Sequence, residues 1–319
     1  MDTKSFLADL YFSDQWLELN QKLWGVRAEK NIYSIPEKQN SKLEVVFYYD
    51  EKNRIILPPY NQYLPLRFVP TNTSKESHLR YQWLALSKQL VADLKKHGWV
   101  GDIAFTPGFI DARAFSWFNI RFTLKYTYYS ELPVDINCCD CSIRKNTRKA
   151  LKNGYYVKRT SNIDEIYECL YQSARRKKID LGFQKTDLKR CWDILGPENI
   201  IGYVAYNIDG FPVSAQVKLL SPNGVCIDWL AGTKDDRIKD GVNQLLYSFS
   251  FEDLHNRGEK YFDFGGANNE SISQAKSQWC FELVPMLVVK NRSPLLEIKS
   301  WICKYRFFNK LRTLYKNIF

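Results

Sequence analysis

Apolar and polar positions follow two different periods along the 319-residue chain. Apolar residues at helical spacing predict long helices at 78–98 and 239–258. Runs rich in β-branched and aromatic residues predict strands, of which the clearest are 200–207, 211–220 and 224–231. Because helices lie between the strands, the pattern predicts an α/β (α+β mixed) fold in which helices cover both faces of mixed sheets.

The order helix, glycine, short strand and glycine turn occurs twice in the chain. One long helix ends at Gly98 and the other at Gly258, 160 positions later. Phe105 and Phe264 lie in the strands that follow, 159 positions apart. We interpret this repeat as an internal duplication, although two unrelated α/β units of similar layout remain an alternative at this stage.

A hairpin pattern also occurs in each half of the chain. Residues 43–60 are predicted to form strand, polar turn and strand, with Asp50 at the turn. Residues 200–220 have the same layout, with Asp209 at the turn, 159 positions later. The spacing predicts that these two hairpins are equivalent elements of the duplicated unit.

The repeat predicts two tandem domains and a tail. We expect a first domain at 1–140 and a second domain, which carries the functional site, at 141–294. A basic helix at 142–153 joins the two. Residues 295–319, which interleave aromatic residues with Lys and Arg, are predicted to form a helix that packs on the first domain.

Net charge indicates an anionic partner. The chain has 46 Lys+Arg against 35 Asp+Glu, a formal net charge of +11, which favours nucleic acid, a phosphorylated ligand or a membrane surface. Residues 142–159 contain seven Lys/Arg and no acid, and residues 291–319 contain seven against one Glu. As an alternative to packing on the first domain, the tail is suited to contact with a membrane surface.

The cysteines and the apolar segments indicate the compartment. The eight cysteines include the run Cys138-Cys139-Asp140-Cys141, which contains one CxxC spacing, but adjacent cysteines are poorly placed to share one metal and no histidine is near them in sequence. We therefore expect reduced thiols and no metal. The chain begins with an early acid and no long apolar run, and no segment approaches the roughly 20 apolar residues of a membrane span. These features predict a cytoplasmic protein, with peripheral contact at the inner membrane face if the tail binds lipid.

A basic turn in the second half is a candidate site for a phosphate of the donor. The strand near 225–232 leads into a helix that begins near Asp240. Backbone N–H groups at a helix start attract anions. The residues assigned to this site are Lys234, Arg237, Lys239 and Gly241. A solvated loop is the alternative, because basic residues are common near helix starts.

The strand at 260–264 ends in two glycines and leads to a short helix. Gly265 and Gly266 allow a steep turn and leave backbone amides accessible, and Asn268 reaches the same space. Lys276 lies beside the apolar stripe of the helix; such a lysine commonly extends to water.

Two carboxylates on successive predicted strands of the chain are candidates for a general base. Asp228 lies on the strand that leads to the basic turn, and Asp263 lies beside the glycine pair. Burial would raise the pKa of either carboxylate. The alternative is that each one caps a turn or pairs with a cation.

The stretch from Asp263 to Gly266, followed by Ala275-Lys276, resembles the closing motif of the FemABX-type transferases and of tandem GNAT-fold acyltransferases. The basic segment 142–159 and the Pro-rich turn 58–68 are similar to further segments of that family. Two positions depart from its pattern: Cys280 replaces a glycine and Ala275 replaces a phenylalanine.

The resemblance implies two tandem GNAT-like domains and acyl transfer. Acyl-CoA or an aminoacyl-tRNA would be the donor, without a metal. The acceptor would be an amine or hydroxyl of an envelope or glycan precursor, an anionic molecule linked to a lipid or nucleotide. Lys276 would supply positive charge to the donor ester or the oxyanion. The alternatives are a nucleic-acid-binding protein that uses the helix at 142–153, or a non-catalytic scaffold.

Overall fold

The computed structural model describes residues 6–36 and 38–291, without the side chains of residues 38–40, 235 and 236. The predicted C-terminal helix at 295–319, with its contact to the first domain or to a membrane, therefore lies outside the described residues. The domain limits predicted from the sequence stay a prediction.

In the first half, the described residues form three α-helices, seven strands and a 3-10 helix at Asp9–Phe12. The helices are α1 (Asp14–Trp24), α2 (Glu76–His97) and α3 (Arg113–Trp117). The strands are β1 (Arg27–Ile35), β2 (Lys38–Tyr49), β3 (Ile55–Ile56), β4 (Leu66–Val69), β5 (Trp99–Val100), β6 (Asp102–Ala104) and β7 (Phe122–Glu131). Helix α1 begins where the Ser13 hydroxyl accepts a hydrogen bond from the Trp16 N–H, and it ends at Gly25 in the left-handed conformation.

The described part of the second half, which ends at residue 291, contains five α-helices and six strands. The helices are α4 (Cys141–Lys152), α5 (Ile163–Arg176), α6 (Lys185–Leu195), α7 (Val242–Asn256) and α8 (Glu270–Lys276), with a 3-10 helix at Asp235–Asp240. The strands are β8 (Tyr156–Arg159), β9 (Ile200–Tyr206), β10 (Pro212–Leu220), β11 (Val225–Thr233), β12 (Tyr261–Gly266) and β13 (Glu282–Lys290). These limits lie close to the predicted ones because the apolar periodicity is strong here.

Two sheets organise these strands. The smaller has the order β1-β2-β3-β5, with β4 paired to β2. The larger has eight strands in the order β6-β13-β7-β12-β11-β10-β9-β8. Its pairs are antiparallel except for β11 with β12. The predicted mixed α/β fold is confirmed.

The last strand of each half, β7 in the first and β13 in the second, pairs with a strand of the other half. Strand β7 pairs with β12, β13 pairs with β6, and β7 and β13 pair with each other. The register repeats the sequence offset. Ile103 of β6 pairs with Val289 of β13. The residues 160 positions away from these two in the other half, Asp263 of β12 and Tyr129 of β7, pair with each other as well. The predicted duplication is therefore visible in the hydrogen-bonded pairs themselves.

The equivalence predicted for the two hairpins is wrong. Strand β3 is parallel to β5 as β11 is parallel to β12, so the hairpin β2–β3 occupies the place of β10–β11. The match of Asp50 with Asp209 in the sequence instead equates the hairpin β2–β3 with the hairpin β9–β10. A polar turn of similar length suits any hairpin, whereas the parallel pairing across the long helix identifies the equivalent strands.

Helices cover both faces of the second half of the large sheet. Val204 packs in a core with Ile166 of α5, whereas the preceding residue, Tyr203, packs in a core with Leu246 of α7. The strand β9 is buried at every position, as expected of a central strand between two helical layers. The junction of β11 and β12 lies in the interior of this eight-stranded sheet, with further strands on both sides.

Helix α4, the predicted basic connection, packs closely on the start of α7. Gly241, which precedes α7, has φ +80°, and a Cβ atom there would lie 2.1 Å from the Asn146 carbonyl oxygen of α4. Only glycine fits this left-handed position against another backbone. The chain consequently uses Gly241 for helix packing.

We expect Gly241→Ala to destabilise the protein by about 2–5 kcal/mol, since left-handed strain adds to a backbone clash. Gly25→Ala is the control: Gly25 has φ +64° but no atom within 4 Å of its Cβ position, so its cost is about 1–2 kcal/mol. Denaturant unfolding of both variants measures the difference. Equal losses in the free energy of unfolding would show that α4 moves away from the added Cβ atom at little cost.

Candidate active site

The parallel strands β11 and β12 diverge in the middle of the large sheet. Their pairing runs from Val225 with Tyr261 to Ile227 with Asp263 and then stops, although both strands continue. A bulge in β11 follows at once, because Lys218 pairs with Asp228 and Val217 pairs with Leu230. Bulges commonly lie beside active sites, where they redirect side chains.

A cavity of about 770 Å³ opens where the strands diverge. Its walls come from β11, the first turn of α7, the end of α5, the glycine turn after β12, and α8. The side chains used below are Gln62, Arg176, Lys177, Asp228, Tyr247 and Lys276. Gly265 and Gly266 also line it, so the glycine pair is open to the cavity.

Gly265 lies at the point where three of these groups converge. It has φ +75°, and a Cβ atom there would lie 3.1 Å from the Gln62 side-chain nitrogen and 3.6 Å from the Lys276 ammonium nitrogen. Gln62, which belongs to the first half, donates a hydrogen bond to the Asp228 backbone carbonyl at 3.3 Å. Because the pairing of β11 with β12 ends at Ile227, the backbone of Asp228 has no pairing with β12. The hydrogen bond from Gln62 takes the place of such a pairing.

The Lys276 ammonium group is directed into the cavity. It ends α8, donates a hydrogen bond to the Phe264 carbonyl oxygen and lies 4.6 Å from the centre of the Phe264 ring. Burial lowers the pKa of Lys276, and the carboxylates of Asp228 and Asp263 oppose this effect. This lysine does not extend along the surface to water.

Asp228 is the acidic side chain among the described residues that line the cavity. One carboxylate oxygen accepts a hydrogen bond from the Lys218 ammonium at 2.5 Å, and the other accepts one from the Tyr247 hydroxyl at 2.8 Å. Lys218 has no exposed surface and lies 4.5 Å from the centre of the Tyr247 ring. Burial lowers the pKa of Lys218, and Asp228 opposes this effect. The pair holds the Asp228 carboxylate in one orientation.

Asp263 is buried and does not line the cavity. One carboxylate oxygen accepts hydrogen bonds from the Thr127 hydroxyl at 2.5 Å and the Gly265 N–H at 2.9 Å. The other oxygen has no hydrogen-bond partner among the described residues, and the Tyr11 hydroxyl has none there either. Burial and the Asp263 charge both raise the pKa of Tyr11. Burial raises the pKa of Asp263, and the hydrogen bonds from Thr127 and Gly265 and the Lys276 charge oppose this effect.

We expect Asp263→Asn to stabilise the protein at neutral pH. Because the folded state holds this proton more tightly than the unfolded state, the stabilisation from Asp263 is complete below the unfolded pKa of about 4 and declines as pH rises toward the folded pKa. The amide avoids that loss and keeps the oxygen that accepts from Thr127 and Gly265.

Thermal melting from pH 4 to pH 8 measures this effect. The melting temperature of the variant should exceed that of the wild type at pH 8 by more than at pH 4. Parallel pH profiles would contradict the prediction. Asp240→Asn is the matched control, since the Asp240 carboxylate accepts a hydrogen bond from the Tyr155 hydroxyl at 2.6 Å but is not fully buried.

The four residues assigned to the donor phosphate do not line the cavity. Lys234 pairs with Glu168 at 2.5 Å, and the Arg237 guanidinium donates to the Tyr155 hydroxyl at 3.4 Å. The Lys239 carbonyl oxygen accepts a hydrogen bond from Lys149, and Gly241 packs against α4. The helix start that meets the cavity does so through Asn243 and Gln244 of α7.

Two cations that the sequence analysis did not single out line the opposite wall. Arg176 and Lys177 end α5 and face the cavity. Burial and the neighbouring Arg176 charge both lower the pKa of Lys177. Two adjacent cations in one cavity create a positive potential that attracts anions. Their signal was the run ARRKK at 174–178, which also suits a helix C-terminus.

Asn268 lies on the far side of the glycine pair. Its side chain bonds in both directions with the backbone of Tyr126, accepting from the N–H and donating to the carbonyl, each at 2.9 Å. With Gln62 and Gly266 it lines a second cavity of about 220 Å³. The cap of α8 is Asn269, whose side chain accepts from the Ile272 N–H.

The two departures from the family motif differ in position. Ala275 lines the cavity, so the missing phenylalanine leaves room there. Cys280 does not line it; its sulfur lies 3.6 Å from the Cys139 sulfur and 3.4 Å from the Asp135 carbonyl oxygen. In the described part of the chain, no three His, Cys, Asp or Glu side chains are arranged to hold a metal ion.

Solved structures show the same fold. The crystal structure of FemX matches with a TM-score of 0.61 and 13% identity over 89% of this chain and 93% of that chain. The structure of L-PGS from Bacillus licheniformis matches with a TM-score of 0.53 and 14% identity over 89% and 94%. A conserved protein of unknown function from Bacteroides thetaiotaomicron matches with 0.55 and 13% over 91% and 94%.

No family model matches the sequence, and no curated protein sequence matches it. The likeness to FemX and L-PGS spans both halves of the chain, so the resemblance seen in the sequence is confirmed for the fold. Within residues 6–36 and 38–291, no helix is long and apolar enough to cross a membrane.

Proposed function

We propose that this chain, which has the fold of FemX, is an acyltransferase. It would move an acyl or aminoacyl group from acyl-CoA or an aminoacyl-tRNA to an amine or hydroxyl. The observation that carries the proposal is the meeting of the Lys276 ammonium, the Gly265–Gly266 turn and the Asp228 carboxylate in one cavity where β11 and β12 diverge.

Lys276 acts on the carbonyl that is attacked. When an amine or hydroxyl adds to an ester or thioester carbonyl, its oxygen becomes negatively charged, and a fixed cation in a partly buried site stabilises that charge. The Lys276 ammonium is fixed by the Phe264 carbonyl and ring, and it lies beside the glycine turn. Collapse of this intermediate releases the thiol of CoA or the ribose hydroxyl of tRNA.

Asp228 receives the proton of the attacking nucleophile. It is the carboxylate among the described residues of the cavity wall, and each of its oxygens keeps a lone pair beyond the bonds from Lys218 and Tyr247. Its orientation is therefore set before substrate binds, which favours proton transfer at a defined position. Asp263, sealed on the other side of β12, has no access to the nucleophile.

Arg176 and Lys177 bind an anionic part of a substrate. Both proposed donors carry phosphate, and the first turn of α7 meets the same cavity. The two cations and the start of a helix, a position that attracts anions, therefore border a common space. An acceptor in the form of an envelope or glycan precursor, linked to a lipid or nucleotide, also carries phosphate. The resemblance of the motif at 263–276 supports such an acceptor.

A thermal-shift panel tests the proposal. Acyl-CoAs, stable aminoacyl-tRNA mimics and UDP-linked sugars are each added to the full chain. We expect the true donor to raise the melting temperature of the wild type in a saturable manner. The rise should be smaller in Gly265→Val, whose branched side chain would occupy the space between the Gln62 and Lys276 side chains. No shift with any of the three classes would count against acyl transfer.

We expect Arg176→Gln/Lys177→Gln to weaken binding of the phosphate-bearing ligand at least about tenfold, since each charged hydrogen bond contributes about 1.5–3 kcal/mol. The matched control is Lys178→Gln/Lys189→Gln, which removes two exposed charges that do not line the cavity. Titration calorimetry at two salt concentrations measures both variants. An equal change in both would contradict a specific role for Arg176 and Lys177.

A further inference from the structure

Exposed apolar side chains form a patch at the end of α4, outside the candidate active site. We name Leu151, Tyr156, Ile208 and Phe211 the α4–turn patch. Ile208 is 75% exposed, Phe211 64% and Leu151 55%. No member of the patch lines the cavity. Contiguous exposed apolar groups commonly mark a surface that binds a partner.

Three separate segments bring the patch together. A Cβ atom at Gly154 would lie 3.1 Å from the Ile208 side chain, and the Gly154 N–H donates to the Leu151 carbonyl at 3.0 Å. Tyr156 of β8 pairs with Tyr206, the last residue before the β9–β10 turn. The end of α4, the edge strand β8 and this turn therefore form one continuous surface.

The β9–β10 turn presents Ile208 and Phe211 on a backbone with internal hydrogen bonds. The Asn207 N–H donates to the Phe211 carbonyl at 3.0 Å, and the Phe211 N–H donates to the Asn207 side-chain oxygen at 2.8 Å. The Gly210 N–H closes the turn on the Asn207 carbonyl at 3.0 Å. The two apolar side chains are thus held outward rather than folded under the turn.

Cations surround the patch. Exposed Lys152 follows Leu151, and the Lys158 ammonium lies 5.2 Å from the centre of the Tyr156 ring. Arg148 and Lys149 are exposed one turn earlier on α4. The turn itself carries one acid, Asp209, whose carboxylate accepts a hydrogen bond from the Asn207 side chain at 3.3 Å. The local charge is therefore positive.

We propose that the α4–turn patch docks on the surface of an anionic lipid bilayer. Apolar side chains at the tip of a turn enter the boundary between headgroups and acyl chains, while flanking lysines bind anionic headgroups. Nucleic acid would use the same cations, but Ile208 and Leu151 have no role in phosphate contact or base stacking. The exposed aliphatic groups favour lipid.

Flotation of the full chain with vesicles tests the proposal. One set of vesicles contains phosphatidylcholine alone and the other contains phosphatidylcholine mixed with phosphatidylglycerol. We expect binding to the anionic vesicles, and a fall of at least about tenfold in the partition coefficient for Ile208→Ser/Phe211→Ser, which loses two inserted apolar groups. Lys152→Gln/Lys158→Gln should weaken binding to the anionic vesicles and reduce its dependence on salt.

A matched variant distinguishes binding through the α4–turn patch from nonspecific hydrophobic binding. Ile110→Ser/Trp117→Ser removes two other apolar side chains, 56% and 55% exposed, and should bind vesicles as the wild type does. All variants keep residues 295–319, so any binding by the tail is constant. Unchanged partitioning of the Ile208/Phe211 variant, or no binding of the wild type to anionic vesicles, would overturn the proposal. So would binding of duplex RNA that depends on Lys152 and Lys158 but not on Phe211.

Discussion

Replacement of Lys276 by Met is expected to lower turnover about 10²- to 10³-fold, the usual effect of removing one group that stabilises an oxyanion. Methionine keeps the length and most of the volume of the side chain but has no charge. Because the ammonium group is held at the Phe264 carbonyl, next to Gly265, its loss should reduce the rate of the chemical step more than substrate binding. Single-turnover kinetics with the donor found by thermal shift separates the two effects.

Lys234→Met is the matched control for Lys276→Met. Lys234 forms an ion pair with Glu168 and does not line the cavity, so its loss should change turnover less than about threefold. Both variants should melt within a few degrees of the wild type. Equal turnover of Lys276→Met and wild type would contradict the proposed role of Lys276 in stabilising the oxyanion.

Replacement of Asp228 by Asn is expected to destabilise the fold by about 3–5 kcal/mol, because it leaves the Lys218 cation buried without an anion. Lys218 has no exposed surface, and its ammonium bonds to Asp228 at 2.5 Å. The amide still accepts a hydrogen bond from Tyr247, so the loss reports the ion pair. Lys218→Met should cost less, since the remaining Asp228 carboxylate keeps the Tyr247 hydroxyl and faces the cavity.

The double variant Lys218→Met/Asp228→Asn completes the cycle. It removes both charges together, so we expect it to recover most of the stability lost in Asp228→Asn. The exposed pair of Glu18 and Lys22, also 2.5 Å apart, is the control; Glu18→Gln should cost less than about 1 kcal/mol. Additive losses at Lys218 and Asp228 in denaturant unfolding would mean that the two charges do not depend on each other.

The sequence determined the local elements and much of the fold. Helices such as α2 and α7, and strands β9 to β11, follow from short-range periodicity, which one segment contains in full. The offset of 160 residues, seen first at Gly98 and Gly258, recurs in the strand register. Lys276 and the glycine pair were identified because the motif that contains them is contiguous.

The tertiary structure decided which groups share the site. Asp263 and Lys276 belong to one motif, but successive strand residues face opposite sides. Phe262 and Phe264 therefore pack toward α7, and Asp263 faces away from the cavity.

Gln62 enters from the other half, and Lys218 reaches Asp228 from a neighbouring strand. Such contacts depend on the strand exchange of β7 and β13 and on where β11 separates from β12. Both are set by packing between residues far apart in the chain, which local periodicity does not contain.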